Sequence, residues 1–307
     1  MSELILHHYP QSPVAHKIRM ALGLAGASWR SVEIPRVPPK PLLTPLTADY
    51  RRTPVLQIGA DIYCDSQNIA RALGGAGHAE TLFPDGCESR AMMISSWAEH
   101  VLFDLAARLV ITSVIDTAPP EFIADRGSLY FEPNWTPEGM KAALPGVILQ
   151  LQSNLADVDQ MLAVAPYMAG SKSSYADAAI AYLAWFIRGR WDHGPAFLEA
   201  FPNLTRLEAE FADRGEGQPT ELSAEAALAI AKAATPQSAT GIHTPTPSDL
   251  TMGQQVKIRP RGQTADPDVI GALRYLDATR VSIDHRTDAT GDVAVHLPVA
   301  GYVITAL

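Results

Sequence analysis

A chain of 307 residues with 33 acidic and 24 basic side chains carries a formal charge of −9, so it has no general basic face for a phosphate backbone, and nucleic acid is excluded as a partner. Hydrophobic residues at 47% and charged residues at 19% exclude a disordered chain, and the length predicts two or three domains. Two cysteines, Cys64 and Cys87, form no CxxC pair and supply neither a disulfide framework nor a thiolate metal site. No basic leader precedes the first strand-like run, and no run of eighteen apolar residues occurs, so the expectation is a soluble, cytoplasmic protein without a membrane span.

Residues 4–9 read as a short apolar strand stopped by Pro10. Ser12 before Pro13 is a helix start, and Val14, Ile18, Leu22 and Ala25 recur behind it at helical spacing. Residues 29–34 are a second strand. Residues 35–45 hold five prolines and are expected to run as an extended, semi-rigid loop. Arg51-Arg52-Thr53-Pro54-Val55-Leu56-Gln57-Ile58 then reads as a proline-led strand. A tight turn at Gly59-Ala60-Asp61 and a second short strand follow, and a helix starts at Asp65-Ser66 and ends near Leu73. This β-α-β-loop-β-β-α order predicts a small α/β domain of thioredoxin type.

After residues 74–80 the pattern turns to long helices. Residues 88–114 carry Met92, Trp97, Val101, Leu105 and Leu109 on one side. Residues 140–162 present Leu144, Ile148, Leu151, Leu155, Val158 and Leu162 as a sustained amphipathic stripe. Further helices are expected over 175–189 and 204–212, together an all-α domain. A short Ala-rich helix at 224–234 leads into a Thr/Pro/Ser-rich linker at 235–248. Short β-like runs at 255–258, 281–283, 293–296 and 302–304, separated by turn residues, predict a small antiparallel β module. The expected domains are 1–76, 86–220, a helix and linker at 221–249, and 250–307.

The stretch around Pro54 also has a chemical reading. Proline gives no N–H to a ladder, and with a cis bond before it Thr53 would turn its own N–H and C=O outward to meet an extended peptide. Ser66 and the first amides of its helix would receive a carboxylate, and Asp65 an ammonium. A peptide edge beside a site for both halves of an amino acid is the surface glutathione needs. The alternative for these residues is a plain hairpin followed by an N-capped helix.

Three local patterns in this order make the chain resemble the cytosolic glutathione transferases over residues 4–215. Residues 9–22, Tyr9-Pro10-Gln11-Ser12-Pro13-Val14-Ala15-His16-Lys17-Ile18-Arg19-Met20-Ala21-Leu22, look like the first strand–helix junction of the serine or cysteine classes. Thr53-Pro54-Val55-Leu56 with Asp65-Ser66 is similar to the family's cis-proline and γ-glutamyl site. Ser174-Tyr175-Ala176-Asp177 resembles a capping box in the family's helical domain, a structural device with a physical account of its own. Residues 296–302 look like the His-Leu-Pro…Gly-Tyr ending of an appended C-terminal domain found in some members, with no function implied.

The resemblance implies a glutathione transferase that adds the thiolate of glutathione to a small hydrophobic electrophile, with the homodimer as the usual assembly. A non-catalytic ligand-binding or protein-interaction module on the same fold is the alternative. Ser12 is the implied hydroxyl donor to the thiolate, with Tyr9 as rival and His8 and His16 nearby; the competing account of Ser12 is an N-cap before Pro13. Thr53, Pro54, Asp65 and Ser66 are the implied tripeptide contacts, and Lys40, Arg51 or Arg52 the partners of its glycyl carboxylate. Serine where exchange classes have cysteine disfavours dithiol chemistry, and Cys64 reads as a small buried strand residue. Trp97, Phe103, Tyr182, Trp185 and Phe186 are either an apolar wall for the electrophile or helix core. The histidines show no ligand spacing, so no metal is expected.

Overall fold

A computed structural model gives the conformation of residues 3–244, 249–262 and 264–307. The described residues gather into two compact units, one from Met1–Ala15, Ser28–Ala72 and Gln218–Leu307, the other from His16–Ala27 and Leu73–Gly217.

The chain opens with β1 (Ile5–His8), α1 (Pro13–Leu24), β2 (Ser28–Glu33), the single-turn α2 (Thr44–Thr47), β3 (Val55–Ile58), β4 (Asp61–Cys64) and α3 (Ser66–Leu73). The strands pair in the order β4-β3-β1-β2, with β2 parallel to β1 and β3 antiparallel to both β1 and β4, as a thioredoxin-like domain requires. Helix α2 overlaps only the last two residues, Thr44 and Pro45, of the segment expected to be extended. Pro45 sits in its first turn, where a missing N–H breaks no helical bond, so proline there does not exclude helix. At the β3–β4 turn Gly59 takes φ +62°, a conformation glycine adopts without strain.

The second unit is helical: α4 (Ala79–Leu82), α5 (Glu88–Trp97), α6 (Asp104–Ser113), α7 (Pro120–Tyr130), α8 (Pro137–Val164), α9 (Tyr175–Arg190), α10 (Gly194–Leu198) and α11 (Pro202–Arg214). Residues 88–114, expected as one helix, are two, because a π turn over Ala98–Phe103 separates α5 from α6. The wider turn shifts the side-chain phase, so Leu102 and Phe103 are buried while Val101 is half-exposed. In α8 the buried positions are Met140, Val147, Leu151, Leu155, Val158 and Leu162, with Leu144 and Ile148 half-buried at the stripe's start. Helix α9 is enclosed on nearly every face along Tyr175–Ala184, as its Ala-rich apolar sequence demands. The Ser174–Asp177 capping box forms: the Asp177 carboxylate accepts from the Ser174 N–H at 2.8 Å and the Met168 N–H at 2.7 Å.

The chain then returns to the first unit through β5 (Gln218–Glu221), α12 (Ala224–Ala233), β6 (Gly241–Ile242), β7 (Gln255–Pro260), β8 (Val269–Leu276), β9 (Arg280–Thr287), β10 (Gly291–Pro298) and β11 (Tyr302–Ala306). The expected linker carries β6, and its residues 245–248 lie outside the described residues. The C-terminal strands are antiparallel, in the order β11-β7-β8-β9-β10, and β10 continues as a parallel neighbour of β4. One sheet therefore runs from β11 to β5. Helix α12 packs Ala227 and Ala231 into the same core as Val55, Ile62, Val256, Ile258, Ile283 and Val295.

The C-terminal strands cannot lie flat. From Pro298 to Tyr302 the chain spans at most about 15 Å, yet a flat sheet would put β10 and β11 four spacings apart, about 19 Å. The five strands curl instead, helped by a register shift in β8 between Leu273 and Tyr275. The curl returns the start of β11 to the end of β10.

Candidate functional site

The sheet register decides which residues meet. His7 of β1 pairs with Val55 of β3, and Val55 pairs with Cys64 of β4. The chain leaving β1, the chain entering β3 and the chain leaving β4 therefore converge at one end of the sheet. Those three segments carry Tyr9 and Ser12, Thr53 and Pro54, and Asp65 and Ser66.

The Thr53–Pro54 bond is cis. Among the described residues, the main-chain N–H and C=O of Thr53 take no hydrogen bond, because β3 begins only at Val55. Lys40 braces this corner from the proline-rich segment: its ammonium donates to Thr53 Oγ1 at 2.8 Å and to the Arg51 carbonyl at 3.0 Å. Lys40 is buried in doing so.

Asp65 follows β4 at φ +72° and starts α3. Its Oδ1 accepts the Gln67 N–H at 3.0 Å, and its carbonyl accepts the Ile69 N–H at 2.9 Å, the bonds of a helix N-cap. Ser66 is buried in the first turn of that helix. Ser12 is likewise buried, and its hydroxyl accepts the Ala15 N–H at 3.2 Å. The N-cap account of Ser12 is thus realised. Among the described residues its hydroxyl proton meets no acceptor.

The neighbouring candidates are held elsewhere. His8 Nε2 lies 2.8 Å from Ser31 Oγ, with its ring edge-on to Trp29. His16 Nδ1 lies 3.0 Å from Glu216, and its ring stacks on Trp185 at 4.1 Å. Burial pushes the His16 imidazole below its ordinary value. Arg52 forks onto Asp266 and is not at hand for a ligand carboxylate. Cys64 is fully buried, and burial raises its thiol well above the ordinary range, so it is not a nucleophile. Phe103 packs against Tyr130, Tyr182 and Phe186 at 5.5–6.1 Å between ring centres, all of them buried or half-buried, as helix core.

Two contacts at this end of the sheet come from the C-terminal strands, and no local pattern in the sequence announces them. The Tyr302 hydroxyl donates to Asp65 Oδ2 at 3.1 Å. Asn68 of α3 donates to the His296 carbonyl at 2.8 Å. His296 itself belongs to β10, opposite Tyr63 of β4: its Nε2 donates to Asp61 Oδ1 at 3.1 Å, its Nδ1 accepts from Ser282 at 2.7 Å, and its ring stacks on Tyr63. Burial pushes the Asp61 carboxyl up, but bonds from His296, Ser238 and Gln237 outweigh that and hold it below the ordinary range. Ser282 and His296 are fully enclosed, so this Ser-His-Asp order fastens three strands, β9, β10 and β4, and is no nucleophile. The only sequence signal was the His296…Tyr302 ending, two of whose residues make these contacts.

Among the described residues, no group of three or more His, Cys, Asp or Glu is placed to hold a metal ion, and no helix is long and apolar enough to cross a membrane.

Residues 6–77 match the family described as glutathione S-transferase, N-terminal domain. A solved GST-like protein from Pseudomonas syringae is 34% identical, with a TM-score of 0.74 and coverage of 100% of both chains, the C-terminal strands included. Glutathione S-transferase III in its apo form (18% identity, TM-score 0.52) covers 69% of this chain and 95% of its own. Glutathione transferase F7 from Populus trichocarpa (14% identity, TM-score 0.52) covers 70% of this chain and 98% of its own. These two share the fold alone. No curated protein sequence matches the chain.

Proposed function

Since this chain belongs to the glutathione transferase superfamily, we propose that it binds glutathione and conjugates it to a small hydrophobic electrophile. The observation that carries the reading is the unpaired main chain of Thr53 beside Asp65 and Ser66 at one end of the sheet. There the cysteinyl part of glutathione pairs with Thr53 as an added strand. Its γ-glutamyl carboxylate takes the Ser66 hydroxyl and the amides at the start of α3, and its ammonium takes Asp65. Pro54 shapes the corner, and Lys40 lends its charge to the glycyl carboxylate while bracing Thr53.

Ser12 turns its free hydroxyl proton toward the sulfur, at the N-terminus of α1. A donor and a helix dipole together favour the thiolate over the thiol. The thiol proton leaves to solvent, the thiolate forms a C–S bond, and the electrophile's leaving group departs with the bonding pair. Tyr9 is the rival donor. The second reading is ligand binding without turnover, and the observation in its favour is that Ser12 already serves as an N-cap. Homodimerisation and a cytoplasmic location belong to the same proposal; both cysteines are free thiols, which suits a reducing compartment.

Calorimetry with glutathione, together with conjugation of an activated aryl halide, tests the reading. Binding abolished by Asp65→Ala and turnover of the halide are the expected results. Binding unchanged by Asp65→Ala overturns the site, and binding without turnover on a broad panel of electrophiles selects the second reading.

A further inference from the structure

We propose that Tyr302, from the appended C-terminal strands, is a positioning residue of the glutathione site that acts through Asp65. The inference rests on the reading above and adds to it a part of the chain outside the glutathione transferase domains.

An ammonium partner must be aimed, and Asp65 stands on strained backbone, at φ +72° without being glycine. Two bonds fix its side chain from opposite parts of the fold. Gln67 N–H holds Oδ1 from within α3, and the Tyr302 hydroxyl holds Oδ2 from β11. One oxygen tied locally leaves the group free to swing about that tie, whereas the second tie fixes the plane of the carboxylate. Each oxygen keeps a lone pair for a ligand, so the tyrosine orients the group without consuming it.

The placement of Tyr302 is built into the fold. β10 is parallel to β4 and ends beside it, the curl brings the start of β11 back to that point, and Gly301 takes φ +85° in the connecting turn. Other ties keep the C-terminal strands in register with the site: Asn68 to the His296 carbonyl, His296 to Asp61, and Arg52 to Asp266. Facing the Tyr302 hydroxyl are Tyr50, Asp65 and Arg52. Burial, with Tyr50 and Asp65 adding to it, raises the Tyr302 phenol well above its ordinary value, so it keeps its proton and acts toward Asp65 as a donor. The appended strands thus reach the carboxylate at the recognition end of the site, and the full-length similarity to the Pseudomonas syringae protein includes them.

The test is a double-mutant cycle on the full chain, with glutathione affinity read by calorimetry and kcat and KM read with the aryl halide. Tyr302→Phe keeps the ring and removes the hydroxyl. It is expected to raise the glutathione Kd and KM about five- to tenfold with kcat within twofold. In an Asp65→Asn background, already weakened, the same change is expected to add less than twofold. An equal loss in both backgrounds overturns the proposal, since the effect would not pass through Asp65. Unchanged affinity in Tyr302→Phe, with the wild type binding, overturns this inference and leaves the glutathione reading standing. Tighter binding also overturns it, showing that the hydroxyl competes with the ligand. A wild type that binds no glutathione removes the functional reading and this inference together.

Discussion

Arg52 and Asp266 face each other fork to fork: Nε lies 3.0 Å from Oδ1 and Nη2 lies 2.6 Å from Oδ2. The arginine directly precedes Thr53, and the aspartate belongs to the segment between β7 and β8, so the pair fastens the C-terminal strands to the corner that carries Pro54. The Asp266 side chain is 5% exposed and that of Arg52 is 31% exposed. Burial alone would push the Asp266 carboxyl up, but the bonds and charge of Arg52 hold it below the ordinary range. Removing the arginine strands a buried carboxylate, which costs more than the pair itself contributes. Arg52→Ala is expected to lower stability by about 2 kcal/mol, discounted for the exposure of the arginine. Arg52→Lys should lose about half of that, because a point charge cannot make both bonds. Urea unfolding at neutral pH measures both, and a change under about 0.5 kcal/mol for Arg52→Ala would show that the fork is ornamental.

What could be read from the sequence was local chemistry. Ser12-Pro13 and Ser174 with Asp177 announce helix starts because cap and capped amide lie within four residues, and both form. Thr53-Pro54 announces a strand head because proline brings no N–H to the ladder. The union of β10 with β4 is not legible, since nothing in the run from Val293 to Leu297 says which strand edge it will meet. The sequence pattern hides β8, because Gly271 and Arg274 interrupt its apolar run, and α7, because Gly127 and Ser128 weaken its helical one. Tyr302 reaches Asp65 across 237 residues of sequence, a distance at which only the folded sheet can introduce them.

Acid should weaken the fold through His7. Its imidazole is fully buried on β1, with Nε2 2.9 Å from Gln57 Oε1. Gln57 spends its amide protons on the Gly59 and Ala227 carbonyls, so its oxygen must accept from Nε2–H, which assigns the neutral tautomer. Burial lowers the His7 pKa from 6.5 to about 4, against the smaller upward effect of Gln57. The unfolded chain therefore binds the proton first. Stability is unaffected above about pH 7, falls as pH drops below 6.5, and has lost about 3 kcal/mol from this group by pH 4. His16, His285 and His296 are lowered too, chiefly by burial, and add to the same trend. His7→Gln should flatten the stability curve between pH 6.5 and 4.5 relative to wild type; parallel curves for the two proteins would refute the assignment.

The α8 register makes a contrast of two leucines. Leu155 is fully buried in the stripe, and Leu149 on the same helix is 66% exposed. Leu155→Ala should cost about 2–4 kcal/mol, from lost transfer energy and the cavity left behind. Leu149→Ala should stay within about 0.5 kcal/mol, since alanine is the better helix former and little area is lost. Comparable costs at the two sites would mean the helix is rotated from the position described.

Ser12→Ala separates the two jobs of one hydroxyl. As an N-cap to Ala15, its loss should cost about 1 kcal/mol of stability whatever the protein's activity. As donor to the glutathione sulfur it makes a bond to a charged group, which is typically about 1.5–3 kcal/mol, or about one to two pKa units on the thiol. The sign follows from which form is held. The donor favours the thiolate, so its removal raises the thiol pKa, and the acid limb of the rate profile moves to higher pH by that amount. Turnover should fall about tenfold to a hundredfold at pH 7 and approach wild type on the alkaline plateau. Ser12→Thr, which keeps a hydroxyl, should restore most of both properties. Loss of stability with an unmoved acid limb would leave Ser12 as a cap alone and transfer the thiolate to Tyr9 or to the main chain.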